Sequence, residues 1–169
     1  VYKRQGLVID IEGNVVVVDH KNNRIQKFTK DGKFMGFWGT FGIRDGQFNL
    51  PWGISRDVSG NLYVADWRND RIQKFTTDGE FISKFAASGN RDGQLYRPSD
   101  VAVDLDGNIY IADWGNQRVQ VLSSNGNFLL MLRGDADLNP WASEYLQAQV
   151  ENVEKPKQQA DIYLSHRLL

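Results

Sequence analysis

The sequence predicts an all-β fold made of repeated four-stranded antiparallel sheets, and three observations predict it. A stretch reading GNLYVADWRNDRIQKFTTDGEFISKF at residues 60–85 recurs at residues 13–38 and again at residues 107–132, with 47 residues separating Gly13, Gly60 and Gly107. Each copy holds short runs rich in β-branched and aromatic residues, as strands do. Glycine-containing turns punctuate those runs at the same places in every copy. Four antiparallel strands in a repeat of about 40 to 50 residues are the mark of a β-propeller blade.

The strands follow in order. The first repeat gives residues 7–10, 15–19, 24–28 and 34–38; the second gives 53–57, 62–66, 71–75 and 81–85; the third gives 101–104, 109–113, 118–122 and 128–132. Glu12-Gly13-Asn14, Ser59-Gly60-Asn61 and Asp106-Gly107-Asn108 join first strand to second. Glycine and asparagine tolerate the positive φ of a tight hairpin. Asp31-Gly32, Asp78-Gly79 and Asn125-Gly126 join third to fourth. The other two connections in each unit are longer, and alternation of strand direction sends them to the opposite face. A ligand is to be sought there.

The glycine-asparagine turn, the strand ending in aspartate, the following Asn69 and Arg71 or Asn116 and Arg118, and the glycine-glutamine loop before each proline together resemble the NHL repeat. The resemblance covers roughly residues 6 to 134 and implies blades of a ring that is most often six-bladed. It fixes no activity, because function lives in sites carried on a fold. With three blades, the expected domain at residues 1–134 (repeats of about 4–50, 51–97 and 98–134) is an open arc. The opening VYKRQ departs from the later repeats, so the chain reads as a fragment of a longer propeller; the alternative is a homodimer in which two arcs pair. Residues 135–169 leave the pattern. There Asn139-Pro140 and the spacing of Trp141, Tyr145 and Ala148 predict a helix over about residues 140–150, in a tail or an insertion between blades.

Composition narrows the chemistry. Twenty basic residues against 21 acidic ones give a net charge of -1, offering no bulk attraction to nucleic acid. There is no cysteine, hence no disulfide and no thiolate metal site, and His20 and His166 are too few for a multi-histidine site. No apolar run approaches the roughly 20 residues of a membrane span. Neither a G-x-S-x-G elbow nor a phosphate loop with its lysine occurs. Asp104-Leu105-Asp106-Gly107-Asn108 superficially suggests calcium, but its glycine is misplaced for an EF-hand loop, and a hairpin explains it better.

Asp19, Asp66 and Asp113, each followed five residues later by Arg24, Arg71 or Arg118, read as an ion pair that every blade needs, since catalytic groups are seldom copied into every structural unit. The candidates for binding lie on the face of the longer connections: His20, Trp67 and Trp114 at matching positions after the second strand, Arg68, which varies between copies, and Arg44 and Arg91 at matching positions in the inter-blade loops. Trp67 also has a plain structural reading, a ring packed on an adjacent arginine or blade. Arg56 stands where Ile9 and Val103 are apolar, so it is expected to face channel water, a neighbouring carboxylate or an anion. The leading expectation is a non-enzymatic module that binds a protein or peptide through the face carrying the longer loops, with no catalytic residue, metal or cofactor. An RNA-binding propeller, disfavoured by the near-neutral charge, and a hydrolase or lyase whose metal site lies in other blades are the alternatives.

Overall fold

A computed structural model describes residues 6–133. These residues form three four-stranded antiparallel sheets, ordered β1-β2-β3-β4, β5-β6-β7-β8 and β11-β12-β13-β14, and one two-stranded parallel pair, β9-β10. The first sheet comprises β1 (Leu7–Ile9), β2 (Val15–Asp19), β3 (Arg24–Phe28) and β4 (Phe34–Trp38). The second comprises β5 (Pro51–Arg56), β6 (Leu62–Asp66), β7 (Arg71–Phe75) and β8 (Phe81–Phe85). After the short pair β9 (Ala87–Ser88) and β10 (Gln94–Leu95), the third comprises β11 (Pro98–Val103), β12 (Ile109–Asp113), β13 (Arg118–Leu122) and β14 (Phe128–Leu132). The strands are consecutive neighbours in every sheet, so each blade is a meander. The helix expected near residues 140–150 lies outside the described residues.

The three outer strands of every blade begin and end where turn chemistry places them. The innermost strands do not: β5 and β11 start at Pro51 and Pro98, two to three residues earlier than patterning alone suggests. Proline has no amide to donate, yet Pro51 still lies opposite Asp66, with a register irregularity before Ile54. Apolar periodicity is broken there. The parallel pairing of β9 with β10, mirrored by the single bridge between Phe41 and Phe48, was not expected either and folds each inter-blade loop back on itself.

Alternation along the strands gives each blade a front and a back. The back of the first blade (Val16, Val18, Ile25) packs against the front of the second (Phe48, Ile54, Leu62, Val64, Phe75) in one core cluster. The back of the second (Tyr63, Ala65, Ile72, Phe85) packs against the front of the third (Leu95, Val101, Ile109, Ile111, Leu122) in another. The core therefore lies between sheets, not within one. Phe48 and Leu95, both completely buried, are delivered by the inter-blade loops as plugs under the next sheet. At the inner edge the strands pass so closely that a Cβ on Gly53 would lie 2.6 Å from the Cα of Asp100 in β11. Only glycine fits that crossing.

Candidate functional site

The hairpin face is occupied by local ties. Asp10, Asp57 and Asp104 each directly follow the first strand and accept the amide of the asparagine four residues on, Asn14, Asn61 and Asn108, at 2.8 Å. The asparagine side chain returns a bond to the same carboxylate. Asp104 thus closes a turn, and the calcium-like spelling of its loop is hairpin chemistry. Lys27 adds an ammonium 2.9 Å from the buried Asp10 carboxylate. Burial pushes the Asp10 carboxyl up, but Lys27 and the amides of Asn14 and Glu12 outweigh it and hold the group at about 2.

On the opposite face each blade carries a second carboxylate at the centre of a clasp. In the second blade Asp66 accepts from Asn69, Arg71 Nε and Gln73 on one oxygen and from the Asn49 amide on the other. The Arg71 guanidinium turns its remaining donors onto the carbonyls of Ile43, Arg44 and Gln47. Gln73 completes the grip by donating to Gln47 O and accepting from Gly46 N. The third blade repeats this with Asp113, Asn116, Arg118 and Gln120 around the loop from Gly89 to Gln94. Arginine is suited to this because its planar fork reaches a carboxylate and several carbonyls at once. These groups are spoken for, as their repetition implied.

A ladder of rings runs across the same face. His20 of the first blade lies 5.7 Å from Trp52, Trp52 packs edge-on against Trp67 at 5.3 Å, and Arg97, at the end of the loop that leads into the third blade, covers Trp67 at 4.8 Å. His20 Nδ1 is 3.0 Å from the carbonyl of Pro51. Arg68 flanks Trp67 from its own loop. Trp67 is consequently an inter-blade joint rather than an open platform. Trp114, its counterpart, is 61% exposed, and the place of Trp52 is taken in its blade by Ser99.

Arg56 donates to the carbonyl of Ile9 in the first blade and to that of Asp57. Both of these acceptors are backbone carbonyls, and the residue bridges two blades. Arg44 and Arg91 are exposed and begin matching turns closed by Gln47 and Gln94.

Sequence reading missed the two most exposed apolar side chains of this face. Phe41 is 69% and Ile43 77% exposed, on the loop that Arg71, Asn69 and Gln73 pin by its backbone. The signal was available: the equivalent positions in the next loop are Ser88 and Asn90. Among the described residues no three histidine, aspartate or glutamate side chains converge as a metal site, and no helix is long and apolar enough to cross a membrane.

Comparison with known proteins agrees with this geometry. No curated protein matches the chain significantly in sequence. The family model "NHL repeat" matches residues 48–75 and 95–122. Among solved structures, a streptogramin B lyase superposes with a TM-score of 0.59 at 19% identity, over 78% of this chain and 40% of that one. The nidogen/laminin complex gives 0.59 at 22%, over 76% of this chain and 48% of that one, and the RRP9 WD40 repeats give 0.62 at 15%, over 80% and 40%. The chain spans less than half the length of each of these three. Their identities speak for the fold alone, and the two stretches that the family model matches hold the clasp residues Asp66, Arg71, Asp113 and Arg118, so residues 6–133 are an arc of β-propeller blades in which two stretches match the NHL repeat.

Proposed function

We propose that this arc is a non-enzymatic binding module that engages a protein or peptide through the face carrying the inter-blade and second-to-third strand loops. The observation that carries the reading is Phe41 and Ile43, held out from a loop whose backbone is fixed by the Arg71 clasp. Large apolar side chains presented on a rigid scaffold lose little freedom on binding, which favours their use as anchors. Arg44 stands beside them, and arginine next to apolar anchors is common at protein interfaces. His20, Arg68, Arg91 and Trp114 lie farther along the same face and would form its rim.

Selection from a displayed peptide library against the 169-residue chain tests this. Selected peptides should lose at least tenfold in affinity for the Phe41→Ser, Ile43→Asn double variant, which copies the neighbouring loop. Peptides indifferent to that change would defeat the reading. Tight, steeply salt-dependent binding of single-stranded RNA in its place would favour the RNA alternative.

A further inference from the structure

Two guanidinium groups crowd one indole on the loop face. Arg68 Cζ lies 5.4 Å and Arg97 Cζ 4.8 Å from the centroid of the Trp67 ring, and Arg97 is also 5.5 Å from the Tyr96 ring. Among the described residues neither guanidinium pairs with a carboxylate or donates a hydrogen bond, whereas Arg71 and Arg118 are bound in clasps and Arg56 on carbonyls. Asp70, two residues from Arg68, spends one carboxylate oxygen on the Arg97 amide and the other on the Ser88 hydroxyl. Each fork of five N–H donors is therefore steadied by a ring and left without an acceptor from the protein. A blade does not need these charges. The place of Arg68 is taken by Lys21 and Gly115 in the other repeats, and that of Arg97 by Leu50. Leu50 and Arg97 share one backbone, with φ of 54° and an amide bound at 2.7 Å by Asn23 or Asp70, so only the side chain differs.

We propose that Arg68 and Arg97 bind a carboxylate of the partner, so that this face selects acidic peptides. The inference rests on the protein-binding reading of the face and names the chemistry of the peptide. Gly42, which separates Phe41 from Ile43, accepts a hydrogen bond at 2.9 Å from Asn69, the residue after Arg68. Apolar anchors and guanidinium groups are thus tied together through one short loop, and a single peptide can bring an apolar residue to the first and a carboxylate to the second. A guanidinium fork matches a carboxylate with two parallel hydrogen bonds. Single-stranded RNA, by contrast, is held by stacking bases on open rings. Trp67 has Trp52 edge-on against it and an arginine from each side of the joint upon it, so the site offers forks without a stacking platform.

Selection against the 169-residue chain from two displayed libraries tests this, one encoding aspartate and glutamate, the other asparagine and glutamine in their places. Binders should come from the acidic library, and changing the carboxylate of a selected peptide to its amide should weaken binding by about tenfold or more. That loss should vanish in the Arg68→Gly, Arg97→Leu double variant, as a double-mutant cycle for a direct contact requires. Both substitutions copy residues of the other repeats, so circular dichroism should show the variant folded. If it is not, the Arg68→Lys, Arg97→Lys variant, which keeps the charge and loses the fork, carries the same comparison through a reduced loss. Equally tight binders from the amide library, or acidic peptides indifferent to the arginine variants, overturn the carboxylate site; if those peptides still weaken on the Phe41→Ser, Ile43→Asn variant, the anchors stand without it. Acidic peptides that respond to the arginines but not to Phe41 and Ile43 uphold the carboxylate site and defeat the anchors. No binder from either library overturns both. Single-stranded RNA bound in preference to any peptide, and lost in the arginine variant, overturns the peptide as occupant.

Discussion

Nε of Arg71 lies 2.8 Å from Oδ2 of Asp66, and both side chains are buried, whereas the matching pair Arg24 and Asp19, at 2.9 Å, leaves the arginine side chain 32% exposed. The short contact is the same in both blades. What differs is the rest of the guanidinium, which in Arg71 holds three loop carbonyls and in Arg24 rests on the Phe37 ring.

Arg71→Leu should therefore cost about 3–5 kcal/mol, the usual penalty for leaving a buried charge without its partner. Arg24→Leu should cost less, because Arg24 is a third exposed and the buried Asp19 keeps the bonds from Asn22 and Gln26. Urea denaturation of both variants reads the difference, and equal losses would mean that the loop carbonyls contribute nothing.

Lys27 and Asp10 make acid sensitivity testable. The Asp10 carboxyl sits at about 2, below the ordinary 3.8. Its contribution to stability is thus complete above about pH 4 and is lost as pH falls toward 2. In Lys27→Met burial acts without the ammonium, the folded-state value rises, and the loss begins at higher pH. Acid unfolding followed by tryptophan fluorescence should move upward in pH, on top of a drop of about 3 kcal/mol at neutrality. An unchanged acid midpoint would show that the amides of Asn14 and Glu12 suffice.

Trp67→Ala should cost about 3 kcal/mol, since it empties the joint between Trp52 and Arg97. Trp114→Ala should cost under about 1 kcal/mol. Urea denaturation of both variants reads the difference. A comparable loss at Trp114 would contradict its exposed position.

Much of the fold was legible because two signals coincide. Period-2 apolarity and turn chemistry fix the same strand ends, and repetition alone marked Asp66 and Arg71 as scaffold. The innermost strands were harder, because Pro51 and Pro98 look like loop residues until their partners Asp66 and Asp113 are known. Trp67 could not be resolved from sequence, since Arg97 reaches it from the loop that leads into the third blade. Phe41 and Ile43 were not legible as exposed for a different reason: apolar residues in a loop carry no strand period, and the same loop buries Phe48, so only the structure separates the exposed side chains from the plug.

The clasp has a mechanical consequence. Arg71 and Gln73 grip carbonyls and an amide of the segment that leaves the preceding blade, so a tension applied between the first and second blades loads several short bonds side by side. Bonds loaded in parallel share force and fail together. Pulled from its ends, this arc should resist and then release one whole repeat at a time.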